Sequence, residues 1–462
     1  MGKPKFRTQI IVGIAATFSF TSPGFHLGWP SPSLPSLQAA DSDIPITSSE
    51  GSWIVSFLTF GCLFGAPIAA LLVDSLGRKL SLLLGAFPLI VAGILLHVAD
   101  SFWWLIAARF MAGIGTGMMF TVAPIYLAEI ASADIRGALT SMISLLINVG
   151  ILLTYCVGPW VSRVTLASLG TVVPIIFVLM FVWAPESPYY LIMKNDRKSA
   201  IKSLQWLRED GDVNADVGKI EESIEFDQKH AGTFRDLVLV PGNRKALYII
   251  VGITIAQQFS GVIAILSYCG LIFETAGSTL DPSISVIIVG AVQFISGILC
   301  IFTVDLTGRR PLLLISTVGS SIFLGGVALY FQLKAGGMDV SSISWLPLSS
   351  LVGYNIAYTI GLGIIQCVIL SEIFPYNVKA LAGMTCAMTG SFGGMAVAKF
   401  YQVVADRWGI HAAFWSFSGF TICSAVFTLI AVPETKQRSL QEIQEQLHKT
   451  TESKIALEKS GE

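Results

Sequence analysis

The chain has 462 residues, 53% of them hydrophobic and only 13% charged, with a formal net charge of −1 and a mean hydropathy of +0.71. That balance excludes an ordinary soluble domain and removes the electrostatic case for nucleic acid as a partner. The seven cysteines (Cys62, Cys156, Cys269, Cys300, Cys367, Cys386 and Cys423) all lie inside apolar runs, so they read as small hydrophobes and not as a disulfide framework or a metal site.

The basic start MGKPKFRTQ leads straight into an apolar run without a small-residue cleavage site, which reads as an uncleaved anchor. Stretches long enough to cross a hydrocarbon core of about 30 Å follow at 10–30, 51–73, 80–98, 102–124, 139–158 and 167–184. A polar segment at 185–244, with helical periodicity over 200–208 and 217–226, separates these from six more at 246–270, 284–304, 311–331, 347–371, 381–402 and 412–432. The expected fold is an all-α membrane protein with twelve transmembrane helices in two six-helix bundles. Its expected domains are the first bundle (1–184), a cytoplasmic linker with short helices (185–244), the second bundle (245–432) and a cytoplasmic tail (433–462).

Under this assignment Lys3, Lys5, Arg7, Arg78, Lys79, Arg309, Arg310, Lys379 and the basic residues of the linker and tail share one side. That side is cytoplasmic by the positive-inside rule, and both termini are expected there. The opposite loops carry chiefly Arg163, Lys334 and Arg407, with Asp41, Asp43 and Glu50 in the first.

Three features recur in the same order in each half. DSLGRK from Asp74 returns as DLTGRR from Asp305; Glu129 with Arg136 returns as Glu372 with Lys379; PES from Pro185 returns as PET from Pro433. Parallel repeats of six helices imply a pseudo-twofold axis along the membrane normal and a cavity between the halves. The repeated charges Asp74, Arg78, Glu129, Arg136, Asp305, Arg309, Glu372 and Lys379, with Glu186 and Glu434 of PES and PET, form a candidate cytoplasmic gate. Their pairs form when the halves close on that side and give way to water when they part. Topology determinants alone would explain the positive charges but not the carboxylates at repeated offsets.

In the seventh run Gln257, Gly261, Ala264 and Tyr268 lie on one helical stripe, and Gln258 adjoins it. An amide, small residues and a phenol suit a sugar, through paired hydroxyls, room for the ring and an aromatic surface. The same amides would serve equally as glue between helices. Arg109, inside the fourth run, needs a buried partner and reads as structural, satisfied by a carbonyl or polar group of a neighbouring helix. His26 reads as a neutral, hydrogen-bonded histidine and not as a titrating relay. No nucleophile with its base, no metal cluster and no phosphate-cradling loop stands out, so neither an enzyme nor a cofactor is expected.

These motifs resemble the sugar porter family of the major facilitator superfamily. The resemblance rests on DSLGRK and DLTGRR; on Arg109, Gly113, Gly115 and Gly117 followed by PIYLAEIASADIRGAL from Pro124; and on PESP at Pro185, QQFSG at Gln257 and PETKQRSLQEI at Pro433. It runs from the first span to the tail, and within the family it leans toward facilitative glucose transporters and insect-type trehalose facilitators. It implies facilitated diffusion of a hexose, a disaccharide such as trehalose, or a polyol by alternating access, in the plasma membrane, with the sugar and the bilayer as partners and no obligate protein partner. It also implies sugar contact at the seventh-span glutamines. At His26 the family's proton symporters carry Asp and its facilitators Asn.

Several sugar contacts of the family are replaced here: its fifth-span Gln by Ser144, its seventh-span Asn by Ile263, its tenth-span Trp by Cys367, and its eleventh-span Asn-Trp pair by Gly390 and Ser391. Asn148, Gln366, Gln293 and Asn355 are candidate replacements at membrane depth, with helix glue as their other reading. The thinned site keeps two alternatives open, a sugar sensor with the same fold and a proton-coupled symporter.

Overall fold

The computed structural model describes residues 6–208, 213–229, 233–277, 280–303, 307–436 and 442. Every regular element among them is helical. Twelve helices are long and apolar enough to span a membrane: Arg7–Gln38, Ser48–Ser75, Arg78–Val98, Phe102–Ile130, Asp134–Trp160, Arg163–Phe181, Pro241–Ala276, Pro282–Cys300, Arg309–Ala335, Ser341–Ile373, Asn377–Trp408 and Ile410–Ala431. Each expected run falls on one of them, and the chain is a multi-pass, all-α membrane protein. Helix is the outcome because a segment in lipid must satisfy its own backbone hydrogen bonds.

The chain divides into two compact units. The first comprises Met1–Lys229 together with Ile265–Thr275 and Pro282–Phe294; the second comprises His230–Ala264, Ala276–Asp281 and Ile295–Glu462. These boundaries differ from the expected ones at two places. The polar segment divides, since helices Pro188–Met193, Arg197–Leu207 and Val213–Lys229 belong to the first unit while Phe234–Leu239 belongs to the second. Parts of the seventh and eighth spans also join the first unit. They are held there by the Tyr155 hydroxyl donating to the carbonyl of Leu266 at 2.8 Å, by the Gly270 N–H donating to Ser31 Oγ at 3.1 Å, and by Gln293 Nε2 donating to Asn148 Oδ1 at 3.1 Å.

Within the first unit the second and fourth spans approach closely through glycines. A Cβ added at Gly113 would stand 2.7 Å from Gly61 Cα, and one at Gly117 would stand 2.7 Å from the carbonyl oxygen of Cys62. Lipid supplies no hydrophobic drive between helices, so small residues that bring backbones together take that role. In the second unit, hydroxyls do part of the same work. Ser321 Oγ donates to the carbonyl of Ser418 at 3.0 Å, and Ser418 Oγ returns a bond to the carbonyl of Ser321 at 2.9 Å.

The first span divides into Arg7–Phe18, Thr21–Gly28 and Pro30–Gln38, and the seventh and tenth are broken too. The seventh stops at Phe259 and restarts at Val262, with Gly261 at φ +84° between the two pieces, a backbone state that suits glycine. The tenth pauses after Ile360, where Gly361 ends the helix and Ser316 Oγ accepts from the Leu362 N–H at 3.0 Å. These breaks leave backbone groups unclaimed by their own helix, and the candidate amides lie beside them.

Candidate functional site

In the first unit the turn between the second and third spans uses Gly77 at φ +96°, and Arg78 then opens the third span. Its guanidinium meets Glu129 near the end of the fourth span through Nε to Oε2 at 2.9 Å, Nε to Oε1 at 3.1 Å and Nη2 to Oε1 at 2.9 Å. Arg78 Nη1 also donates to the carbonyl of Val73 at 3.1 Å and reaches Asp74 at 3.4 Å. The Ser187 hydroxyl donates to Glu129 Oε2. Glu186 caps the third span, accepting the N–H groups of Arg78 at 2.9 Å and Lys79 at 3.1 Å; a carboxylate at a helix N-terminus answers both the free amides and the dipole there. Tyr126 donates to the carbonyl of Pro185 at 2.8 Å, tying the same segment to the fourth span.

The second unit repeats this construction. Arg309 donates to Glu372 Oε1 from Nε at 3.2 Å and Nη2 at 2.9 Å, and Thr435 Oγ1 donates to Glu372 Oε2 at 2.5 Å. Glu434 caps the ninth span by accepting from Arg309 N at 2.9 Å and Arg310 N at 3.2 Å. Burial works to raise the Glu434 carboxyl, but donation from the N–H groups of Lys436, Arg309, Arg310 and Thr435 outweighs it and holds the group below its ordinary value.

Eight of the ten expected gate residues therefore fall in two matching networks, or beside them, each closed within its own unit, so the guanidinium–carboxylate pairs expected to form as the halves close are instead made inside each half. Arg136 and Lys379 are the ones beside: Arg136 Nη2 lies 3.5 Å from the carbonyl of Ala131, and Lys379 Nζ donates to the carbonyl of Ser371 at 2.9 Å. Both cations serve the carbonyl ends of the preceding spans, where the helix dipole favours positive charge. Of the remaining two, Asp74 is a rim member with its side chain 68% exposed, and Asp305 lies outside the described residues. Sequence reasoning missed the hydroxyls of Ser187 and Thr435. Their signal was present, since a hydroxyl follows the glutamate in both PES and PET.

Arg109 is buried and donates from Nε to the carbonyl of Ile54 at 3.1 Å and from Nη1 to the carbonyl of His26 at 2.7 Å. Its guanidinium lies 5.5 Å from the ring centroid of Trp29, so it ties the first, second and fourth spans together. His26 departs from expectation. It is fully buried, yet neither ring nitrogen has a hydrogen-bond partner among the described residues. The neighbouring Arg109 takes its backbone carbonyl and leaves the ring edge-on to Phe25 at 5.7 Å.

The candidate sugar contacts fall in both units. In the second, Gln257 Nε2 donates to the carbonyl of Leu362, in the break of the tenth span, at 3.0 Å. Gln366 Nε2 donates to Thr254 Oγ1 at 2.7 Å. Gln258 packs near Gly390 and Gly393, and its Oε1 is buried with no hydrogen-bond partner among the described residues. Asn355 turns back on its own helix, donating to the carbonyl of Leu351 at 2.9 Å. In the first unit, Asn148 and Gln293 bond to each other, Gln293 Oε1 is left without a partner among the described residues, and Tyr268 is buried. Gln257, Gln366 and Gln293 each tie two helices through their amide N–H groups, while Gln258 and Gln293 keep an unclaimed carbonyl oxygen. That combination offers acceptors to hydroxyl groups without costing the helices their ties.

A family model described as sugar (and other) transporter matches residues 14–447. The facilitated trehalose transporter of Polypedilum vanderplanki is 33% identical over 443 residues, which is 95% of this chain and 88% of that protein. A facilitated trehalose transporter homolog of Drosophila simulans is 31% identical, with 95% and 91% covered. The facilitated trehalose transporter of Anopheles gambiae is also 31% identical, and there the chain spans about half of the relative, 56% of its length. Among solved structures, the xylose transporter XylE from E. coli in a partially occluded inward open conformation gives a TM-score of 0.80 at 22% identity, over 94% of this chain and 99% of that one. This last likeness is one of fold. The duplicated networks, the twelve spans and the match over nearly the whole chain lead to one conclusion: the chain belongs to the sugar porter family of the major facilitator superfamily, a family of transporters and not of enzymes.

Proposed function

We propose that this protein is a facilitative uniporter that moves a hexose, a disaccharide such as trehalose, or a polyol across the plasma membrane by alternating access, with both termini in the cytoplasm. The duplicated guanidinium–carboxylate network carries the reading. Two copies of one charge cluster, each closed within its own bundle, brace two repeats as matching bodies, which is what movement of one bundle against the other requires. The insect relatives, named as facilitated trehalose transporters, support the substrate class. Gln257, Gln258 and Gln366, with Asn148, Gln293 and Tyr268, are the proposed sugar contacts; the first bundle, linker, second bundle and tail are the proposed working parts. The orientation follows from the distribution of Lys and Arg.

Uniport is favoured over proton symport because the first-span position occupied by Asp in the family's symporters is His26, whose charged neighbour is Arg109, a cation. Uptake of labelled glucose, fructose, trehalose and polyols into proteoliposomes, with and without a pH gradient, tests the proposal. Equilibration of one sugar that is insensitive to the gradient is the expected result. Accumulation above equilibrium would make the protein a symporter, and sugar-dependent thermal stabilisation without flux would make it a sensor. Gln257→Ala is expected to lower uptake about five- to 150-fold, since a buried hydroxyl that loses its partner costs about 1 to 3 kcal/mol.

A further inference from the structure

The short helix Arg197–Leu207 has two unlike faces. Ala200, Ser203, Leu204 and Leu207 are buried. Lys198, Lys202 and Trp206 succeed one another at intervals of four on the opposite face, and all three are exposed. Such a stripe on a soluble surface would need no explanation. Here the tryptophan adjoins a membrane span: its ring lies 5.6 Å from that of Trp183, just past the sixth span, and Trp206 and Trp183 are 42% and 46% exposed.

Trp183 is also a wall of a crevice of about 170 Å³ between the first and sixth spans, lined by Ile11, Ile14, Ala15, Met180 and Trp183. On the first span, exposed Arg7 stands one turn from Ile11 and two from Ile14, on the same face. The apolar slot thus has Arg7 one turn from its lining residue Ile11, and Lys202 and Lys198 one and two turns from Trp206, whose ring meets the lining Trp183. Lys198 and Lys202 form no ion pair among the described residues, whereas Arg197 is taken up by Glu221 at 3.2 Å. Asp196 is the carboxylate beside them, and it is engaged as the helix cap, accepting from the Ser199 N–H at 3.1 Å.

We propose that this crevice and its basic rim bind one anionic phospholipid. An acyl chain would lie along Ile11, Ile14 and Met180, the glycerol would sit at the Trp183–Trp206 pair, and the phosphate with its extra negative charge would meet Lys198, Lys202 and Arg7. Complementarity selects this occupant. A zwitterionic lipid brings no net charge to these three cations, which Asp196 offsets only in part, and a soluble anion gains nothing from the slot. Only the choice of leaflet rests on the orientation proposed above.

The full chain, purified in detergent, would be titrated with phosphatidylserine, phosphatidylcholine or inorganic phosphate, with retained lipid counted by native mass spectrometry. Wild type should hold one phosphatidylserine in preference to phosphatidylcholine. The pair Lys198→Gln and Lys202→Gln should weaken phosphatidylserine about thirty-fold and leave phosphatidylcholine unchanged, while Trp183→Ala should weaken both lipids. A control change at exposed Arg407→Gln should do neither. As a check that needs no variant, raising salt to about 0.5 M should weaken phosphatidylserine alone, because exposed charges are screened at that strength. Equal retention of the two lipids by wild type, indifference of phosphatidylserine to the lysine changes or to salt, or its displacement by inorganic phosphate would overturn the proposal. None of these readouts requires sugar flux, so a failure here and a failure of the transport reading are distinguishable.

Discussion

Replacing Glu129 with Gln removes the charge that takes three hydrogen bonds from Arg78 while leaving the side chain nearly the same shape. The two side chains are only 6% and 12% exposed, and stripping one partner from a buried ion pair costs about 3 to 5 kcal/mol, chiefly by stranding the other charge. Gln keeps one amide oxygen as an acceptor, and Arg78 retains the Val73 carbonyl, so the low end, about 3 kcal/mol, is expected. The amide's N–H group would also face the Arg78 donors, and the Ser187 hydroxyl would lose its charged acceptor. Thermal or denaturant unfolding of the purified protein measures this. The double change Arg78→Gln with Glu129→Gln should recover about 1 to 2 kcal/mol relative to the sum of the single changes, because no charge is then left stranded. Glu372→Gln should cost less, about 1 to 2 kcal/mol, since Glu372 is 25% exposed and receives two guanidinium bonds in place of three. A Glu129→Gln cost under about 0.5 kcal/mol, or single changes that simply add, would refute the reasoning from burial.

Gln258→Leu removes a buried oxygen without a partner, so the sugar-free protein should gain about 1 kcal/mol in melting experiments while sugar-dependent stabilisation falls; a destabilised protein would identify Gln258 as glue between helices. Gly113→Val should prevent accumulation of folded protein, because a Cβ would already stand 2.7 Å from Gly61 Cα, and Gly113→Ala should give a smaller, measurable loss. The Glu434 carboxyl is held below its ordinary value of 4.5, so its contribution is fully present above that pH and is lost as pH falls from there through the folded value. Glu434→Gln should accordingly flatten the acid side of the stability profile and leave its neutral and alkaline side parallel to wild type. Tyr155→Phe removes the bond to the Leu266 carbonyl and should increase amide exchange over 262–276 without changing exchange in the second span.

Much of the architecture was legible in the linear chain. The twelve spans follow from runs of apolar residues, because in lipid each segment closes its own hydrogen bonds and its fate is decided locally. The duplication was readable from three ordered motifs, and with it the gathering of the repeated charges on one surface. Arg109 was legible as a buried cation in want of carbonyls, because its burial followed from its position inside a span.

The partners of these groups were not legible, since each partner lies far along the chain. Arg136 stands seven residues from Glu129 just as Lys379 stands seven from Glu372, which makes each look like a gate member. The fold instead turns each toward a carbonyl at the end of the preceding span and gives the carboxylates to Arg78 and Arg309. The hydroxyls of Ser187 and Thr435 join only because the segments after the sixth and twelfth spans return to the starts of the third and ninth. His26 lost its expected partner for the same kind of reason, as Arg109 takes the backbone and leaves the ring. The sequence by itself determined the solvent, the number of spans, the repeat and the residue types available for charge pairing and sugar contact, all of which depend on a residue and its near neighbours. Only the tertiary structure decided which donor meets which acceptor and which amide oxygens stay unclaimed, because those outcomes depend on how separate helices pack and on the few ångströms over which a hydrogen bond acts.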